Sequence, residues 1–184
     1  MTSPNTAAAN AAPADAGEHA VLALERFLPY RLSVLSNRIS HAISSIYVDR
    51  FDLSVTEWRV MAVLGRFPGL SANEVAERTA MDKVAVSRAV ARLIAAGRLD
   101  REVHGNDRRR SVLTLSEDGY RIYDAVAPTA LAFEARLLEG FDQNDRALLY
   151  RLLDRLDADE VRAEAGLAAM QMADAKLAPP KDAA

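Results

Sequence analysis

Cysteine is missing from all 184 residues of this chain, and histidine occurs three times. Without cysteine there are no disulfides, no thiolate metal sites and no thiol redox switch. His19, His41 and His104 are far apart and lack ligand spacing, so no transition-metal site and no other cofactor is expected. No apolar run is long enough to cross a membrane. There is no GxSxG, no HExxH, no phosphate-cradling glycine loop and no Cys/His nucleophile pair, and acidic residues such as Asp157 and Glu160 fall in a charge-rich solvated stretch. An enzyme is therefore not expected. Residues 1–20 hold neither a basic segment nor an apolar block, so they do not read as a secretory signal. Their Ala, Pro, Asn and Asp mixture reads as a disordered tail, and the cytoplasm is the expected location.

What is present is an apolar half, enough to bury a core in one domain with helical extensions. The charge is unevenly spread. From Lys83 to Arg110 there are eight basic and three acidic residues, a surplus of five, so the rest of a chain at net −3 carries −8. A basic patch on an acidic protein suits DNA, because the patch meets phosphates while the remainder limits indiscriminate attachment. A solvated basic helix on an ordinary surface has the same composition.

Periodicity gives the elements. Arg26 to Arg50 reads as one long amphipathic helix with Leu28, Leu32, Leu35, Ile39, Ala42, Ile43 and Ile46 on one face and Pro29 in its first turn. Ser54 and Glu57 form a capping box before a helix that stops at Pro68-Gly69, with Trp58, Met61, Ala62, Leu64 and Gly65 as core candidates. Ser71 and Glu74 form a second capping box, opening a two-turn helix. Asp82 caps the next, which ends at Gly97 and turns Val86, Ala89, Val90 and Leu93 inward. Residues 98–103 and 111–115 are short alternating strands joined through Gly105-Asn106 and an arginine-rich tip. Ser116 caps a helix to about Leu138, and Asp142 caps a last helix carrying Leu148, Leu149, Leu152, Leu153 and Leu156.

Two short helices followed by two strands with a basic tip make a helix-turn-helix with a β-wing, which places a helix in the major groove of double-stranded DNA. Ser87 and Arg88 are expected nearest the bases, Lys83 at the helix start, and Arg92 one turn on at backbone phosphate. Ser71 and Asn73 open the preceding helix, where N–H groups and side chains can hold a phosphate. On an ordinary surface these arginines would instead pair with Glu74, Glu77 or Asp100. The small core cannot bury two leucine-rich ends, which argues for a symmetric dimer in which the ends interleave. Packing of the two ends within one monomer is the alternative.

The run VSRAVARLIAAGRLDR and, above all, the wing sequence from Asp107 to Ser116 (DRRRSVLTLS) resemble the MarR (multiple antibiotic resistance regulator) family of bacterial transcription regulators. The likeness covers about Leu28 to Leu156; His104 stands where the family has an earlier wing acid. It implies a fold that is mainly α with a small β-wing. A winged helix-turn-helix core (54–115) would be flanked by N-terminal (21–53) and C-terminal (116–158) dimerisation helices, with a helical extension and flexible tail at 159–184. It also implies a homodimer on a pseudo-palindromic operator, a repressor released by a small ligand. By motif match Arg109 is the arginine entering the minor groove, a narrow A·T-rich groove being attractive to it. Asp107 braces a nearby arginine. Arg108 and Arg110 alternate with Arg109 along an extended arm, so at least one of them meets phosphate or faces the core.

Family members commonly respond to small aromatic or phenolic acids held between the dimerisation helices and the winged core. The candidate lining here is Tyr30, His41, Ser44, Tyr47, Trp58, Arg59 and Tyr120, with Arg59 for a carboxylate and Trp58 for a ring. The plainer reading keeps Trp58 in the core and His41 packed or solvated. Without cysteine, the peroxide-sensing branch of the family is not an option. A helical adaptor and a non-specific architectural DNA binder are the rival functions.

Overall fold

A computed structural model describes residues 21–103 and 111–159. The chain divides into two compact units, Met1–Val126 and Ala127–Ala184. The elements are α1 (Leu28–Ser44), α2 (Val48–Phe51), α3 (Val55–Arg66), α4 (Ala72–Thr79), α5 (Lys83–Ala95), β1 (Leu99–Val103), β2 (Ser111–Leu115) and α6 (Glu117–Leu137). A further helix, α7, covers residues 143–159. The observed class is mainly helical with one small antiparallel sheet.

The expected single helix from Arg26 to Arg50 is instead two. Its break lies at Ser45–Tyr47, where Ile46 and Tyr47 donate their N–H groups three residues back, to the Ile43 and Ser44 carbonyls. Ser44 and Ser45 promote it by donating their hydroxyls to the carbonyls of His41 and Ala42, which competes with the helical ladder. Burial decides the matter. The break lets Tyr47 fold in until it is 1% exposed, stacked at 5.5 Å on Trp58, which in turn lies 6.1 Å from Tyr123. Short α2 then ends at Asp52 in the left-handed region (φ 50°).

Both capping boxes form: Ser54 with Glu57 at the start of α3, and Ser71 with Glu74 at the start of α4. Asp82 caps α5 by accepting from the Ala85 N–H at 2.9 Å. The end of α5 is a Schellman motif. Gly97 sits at φ 69° and donates to the Ile94 carbonyl, while Arg98 N–H donates to the Leu93 carbonyl. Between α4 and α5 the chain turns at Ala80, a left-handed residue (φ 49°) without the usual glycine.

β1 and β2 pair antiparallel, Leu99 opposite Leu115 and Val103 opposite Ser111. The loop before α4 adds to the other edge of β2: Gly69 N–H donates to Leu113 O, and Leu113 N–H donates to Leu70 O, both at 2.9 Å. The core gathers Tyr47, Leu53, Val60, Met61, Leu64, Val75, Val86, Val90, Leu93, Leu113 and Val126 with less than 2% exposure. Each such aliphatic contributes on the order of 1.5–3 kcal/mol by leaving water.

In the second unit Asp142 caps α7 through the Asp145 N–H. Arg146 donates to the carbonyls of Leu138 and Phe141, and Tyr150 donates its hydroxyl to Glu134. Pro128, inside α6, removes the N–H that would have reached the carbonyl of Asp124. No helix among the described residues is long and apolar enough to cross a membrane.

Gly119 is held by close approach of backbones. A Cβ there would sit 2.2 Å from the Arg98 carbonyl oxygen, whereas at Gly140 it would meet nothing within 4 Å. Overpacking of this kind costs about 1–3 kcal/mol, more than the gain in helix propensity of up to about 1 kcal/mol. Gly119→Ala is therefore expected to lower Tm by roughly 2–8 °C in a chain of this size, with Gly140→Ala unchanged or higher, as read by thermal denaturation followed by circular dichroism.

Candidate nucleic-acid interface

The outer face of α5 is set by what its inner face buries. Val86, Ala89, Val90 and Leu93 are at most 5% exposed, and residues at 84, 87, 88 and 91 therefore fall on the opposite side of the helix. Val84, Ser87, Arg88 and Ala91 are all exposed. Lys83 and Arg92 lie on the two flanks of this strip and are exposed as well. The arrangement is a narrow ridge with Arg88 on it and a cation on each flank, the shape that enters a groove while its edges meet phosphates.

Arg92 is not idle there. Its Nη1 lies 3.7 Å from Glu57 Oε1 across to the first turn of α3. Glu57 is nearly buried and its other oxygen already accepts the Ser54 N–H at 2.7 Å. The Arg92 side chain is 72% exposed, so this long ion pair is worth less than about 1 kcal/mol and a phosphate can compete for the guanidinium. Arg92 stands between two shallow grooves. One, of about 400 Å³, includes Val48, Leu53 and Arg98; the other, of about 270 Å³, includes Thr56, Ala85 and Arg88.

Arg98, which the sequence places in the basic patch, does structural work instead. Its guanidinium donates to the carbonyls of Phe51 (2.6 Å) and Asp52 (3.4 Å), the open end of α2.

At the start of α4, Ser71 and Glu74 satisfy each other, the Ser71 N–H donating to Glu74 Oε2 at 2.7 Å. That bond and the Ser71 hydroxyl hold the Glu74 carboxyl below the usual carboxylate range. The Ser71 Oγ accepts from Glu74 N–H. Asn73 is exposed on the same first turn. The wing residues Asp107, Arg108, Arg109 and Arg110, with His104 and the Gly105-Asn106 turn, lie outside the described residues.

The seven residues grouped for a ligand separate. Tyr47, Trp58 and Arg59 come together with Ser40, Ile43 and Val55 around a cavity of about 120 Å³. Arg59 Nη2 donates to Ser40 Oγ at 2.8 Å. Burial pushes the Tyr47 phenol above its usual value, while the Arg59 charge pulls it down. Ser44 is buried with its hydroxyl turned to the His41 carbonyl, and the His41 side chain is exposed. Tyr30 lies in an open groove of about 630 Å³ along α1 with Leu28, Leu32 and Leu35, and Tyr120 is exposed on α6. The missed members are Ser40 and Ile43, three residues apart on one face of α1, and Val55, which carries no polar signal. No group of three or more His, Asp or Glu among the described residues is placed to hold a metal.

Two helices joined by a tight turn, the second packed on a wing whose middle strand also pairs with the loop before the first, define a winged helix-turn-helix protein. Residues 51–110 match the model of the MarR family. A MarR/EmrR family transcriptional regulator from Acinetobacter sp. ADP1 has a crystal structure similar to this one, with 27% identity and a TM-score of 0.70 over 77% of this chain and 99% of that one. PcaV of Streptomyces coelicolor, solved in complex with its natural ligand, shares the fold at a TM-score of 0.64 and 21% identity, over 76% of this chain and 98% of PcaV. In sequence, an HTH-type transcriptional regulator of Bacillus cereus is 23% identical over 126 residues, 68% of this chain and 84% of the relative. Over residues 51–110 in sequence, and over about three quarters of its length in fold, the chain is similar to MarR-family transcriptional regulators.

Proposed function

We propose that the protein is a homodimeric, cytoplasmic repressor that binds a pseudo-palindromic operator and is released by a small ligand. The observation that carries the DNA-binding part is the outer face of α5, with Ser87 and Arg88 exposed opposite a fully buried stripe and cations on both flanks. Ser87 and Arg88 read base edges, and Lys83, Arg92, Ser71 and Asn73 hold phosphates. Arg109 enters the minor groove, Asp107 braces the wing, and Arg108 and Arg110 divide between phosphate and the core. Binding is tested on the DNA upstream of the protein's own gene, titrated in salt beside random DNA. The wild type is expected to bind tightly, selectively and with a steep salt dependence. Arg88→Ala should lose about 10- to 100-fold and relax the sequence preference, and Arg109→Ala should also weaken binding. Arg92→Ala should weaken all sequences alike and reduce the salt slope by about one. Equal affinity for random DNA would favour an architectural binder, and no binding from a folded dimer would favour an adaptor.

The homodimer rests on an uncovered apolar face. Leu28, Tyr30, Leu32 and Leu35 on α1 are 40–52% exposed, and in the second unit Leu148, Leu152, Leu153 and Leu156 are 40–44% exposed. Leucines in such runs on one chain call for a partner, and segments 21–53 and 116–158 of a second copy supply it. Because Leu32 and Leu35 are outside the core, Leu32→Glu with Leu35→Glu should keep the helical circular-dichroism spectrum while sedimentation shifts from dimer to monomer. An unchanged dimer would remove α1 from the interface.

The ligand reading rests on the cavity at Tyr47, Trp58 and Arg59, where an arginine meets two stacked aromatic rings. That chemistry takes an aromatic carboxylate: the guanidinium for the anion, the indole for the ring. The reading is supported by PcaV, which shares the fold and was solved in complex with its natural ligand. Salicylate-class acids are expected to weaken operator binding by the wild type and to lose that effect in Arg59→Ala, measured by fluorescence anisotropy. An equal response from both proteins would place the effector elsewhere.

A further inference from the structure

On the DNA-binding reading above, we infer that Val84 is a specificity-determining residue that reads the C5-methyl group of a thymine in the major groove. Among residues 70–102 and 111–115, Val84 is the one large hydrophobic side chain that is exposed, at 56%. Every other valine, leucine, isoleucine and methionine of those two segments is buried or half-buried. Stability of the isolated helix does not account for it. A β-branched residue on a solvated helical surface is a poorer helix former than alanine or lysine and removes no area from water.

Its position does account for it. Val84 is the second residue of α5, and the N-terminal residues of a recognition helix are those that approach base edges. It shares the outward ridge with Ser87, Arg88 and Ala91. The Asp82 cap fixes the backbone at that point through the Ala85 N–H at 2.9 Å. A valine in a helix has one strongly preferred χ1 rotamer, so its two methyl groups arrive already oriented. An isopropyl group has no donor or acceptor. Of the four bases it complements the methyl of thymine, and it leaves the amino group of cytosine or adenine facing carbon with no partner. Arg88 and Ser87, one turn along, then read the neighbouring bases by hydrogen bonds while Val84 supplies the apolar contact.

The test uses the full-length protein and a duplex that it selects from a random-sequence pool. Each thymidine of that duplex is replaced in turn by deoxyuridine, which removes only the methyl and keeps every hydrogen-bonding group. One symmetric pair of positions is expected to lose about fourfold in affinity per half-site, the effect of one buried methyl. Val84→Ala should bind the thymidine and deoxyuridine forms of that duplex equally. Val84→Thr, which keeps one methyl and the β-branched shape, should retain part of the discrimination. Selective wild-type binding that is indifferent to every methyl overturns the assignment of Val84 alone, as does a sensitive position that Val84→Ala still senses. Failure of the wild type to select any sequence from the pool overturns the regulator reading as well.

Discussion

Arg98 is the residue on which the first unit depends, because three of its groups each close a different element. Its N–H ends α5 by donating to Leu93, and its carbonyl accepts the Ser116 N–H at the start of α6. Its guanidinium satisfies the open carbonyls of α2. The Ser116 hydroxyl reinforces the joint by donating to the Gly97 carbonyl at 2.6 Å. Backbones meet so closely here that Gly119 has no room for a side chain. The recognition helix, the first wing strand, α6 and the end of the N-terminal helical segment are thus fixed at one point. The guanidinium is half-buried and, among the described residues, is held by main-chain carbonyls rather than by a carboxylate. It gains instead from charge-assisted bonds to groups that would otherwise lack any.

That joint matters for the DNA-facing side because α5 has only two free parameters once its ends are held: its rotation and its depth. Rotation is fixed by Val86, Ala89, Val90 and Leu93, whose burial leaves no alternative face to turn inward. Depth is left to the outward side chains of Val84, Ser87, Arg88 and Ala91. The weak link between Arg92 and Glu57 fits this economy, since it keeps the guanidinium near the strip without binding it tightly. On the proposed role of Arg92, a stronger pair would withhold the charge from phosphate, and no pair would leave a long flexible side chain to be ordered on binding.

Local chemistry was legible in the sequence wherever one side chain decides the backbone. Ser54, Ser71, Asp82, Ser116 and Asp142 all cap helices as their spacing indicates, and Gly97 takes the positive φ that ends α5. What could not be read depended on partners distant in the chain. The break after Ser44 follows from the place waiting for Tyr47 beside Trp58, which the repeating apolar pattern through Ile46 conceals. Ala80 takes a left-handed conformation with no glycine to announce it, because α4 and α5 pack on the same core and hold the turn between them. Leu70 reads as loop, yet its backbone pairs with the middle wing strand. Arg98 looked like one more cation in a basic run, since composition cannot separate a guanidinium facing phosphate from one facing carbonyls. The ligand set divided for the same reason. Aromatic and basic residues were gathered by type, whereas the α1 face that carries Ser40 and Ile43, and the break that folds Tyr47 in beside them, decide which of them share a cavity.

The first turn of α3 places three consecutive residues in three different environments. Glu57 meets Arg92 of the recognition helix, Trp58 stacks between Tyr47 and Tyr123, and Arg59 bonds Ser40 of α1. A molecule in the small cavity beside Trp58 and Arg59 therefore touches the same turn that carries the partner of Arg92. Proximity alone transmits nothing. Such a molecule changes DNA affinity only by the difference in its own affinity for two placements of that turn, and DNA must change its affinity by the same factor in return. The cavity of about 120 Å³ is smaller than the sites that usually enclose drug-sized ligands. A bound aromatic acid must therefore enlarge it, by moving the Arg59 side chain off Ser40 or by parting the Tyr47 and Trp58 rings. Either movement disturbs the packing that breaks α1 from α2. On the proposed ligand reading, that enlargement would give the ligand a preference between placements, and hence a means of acting on α5.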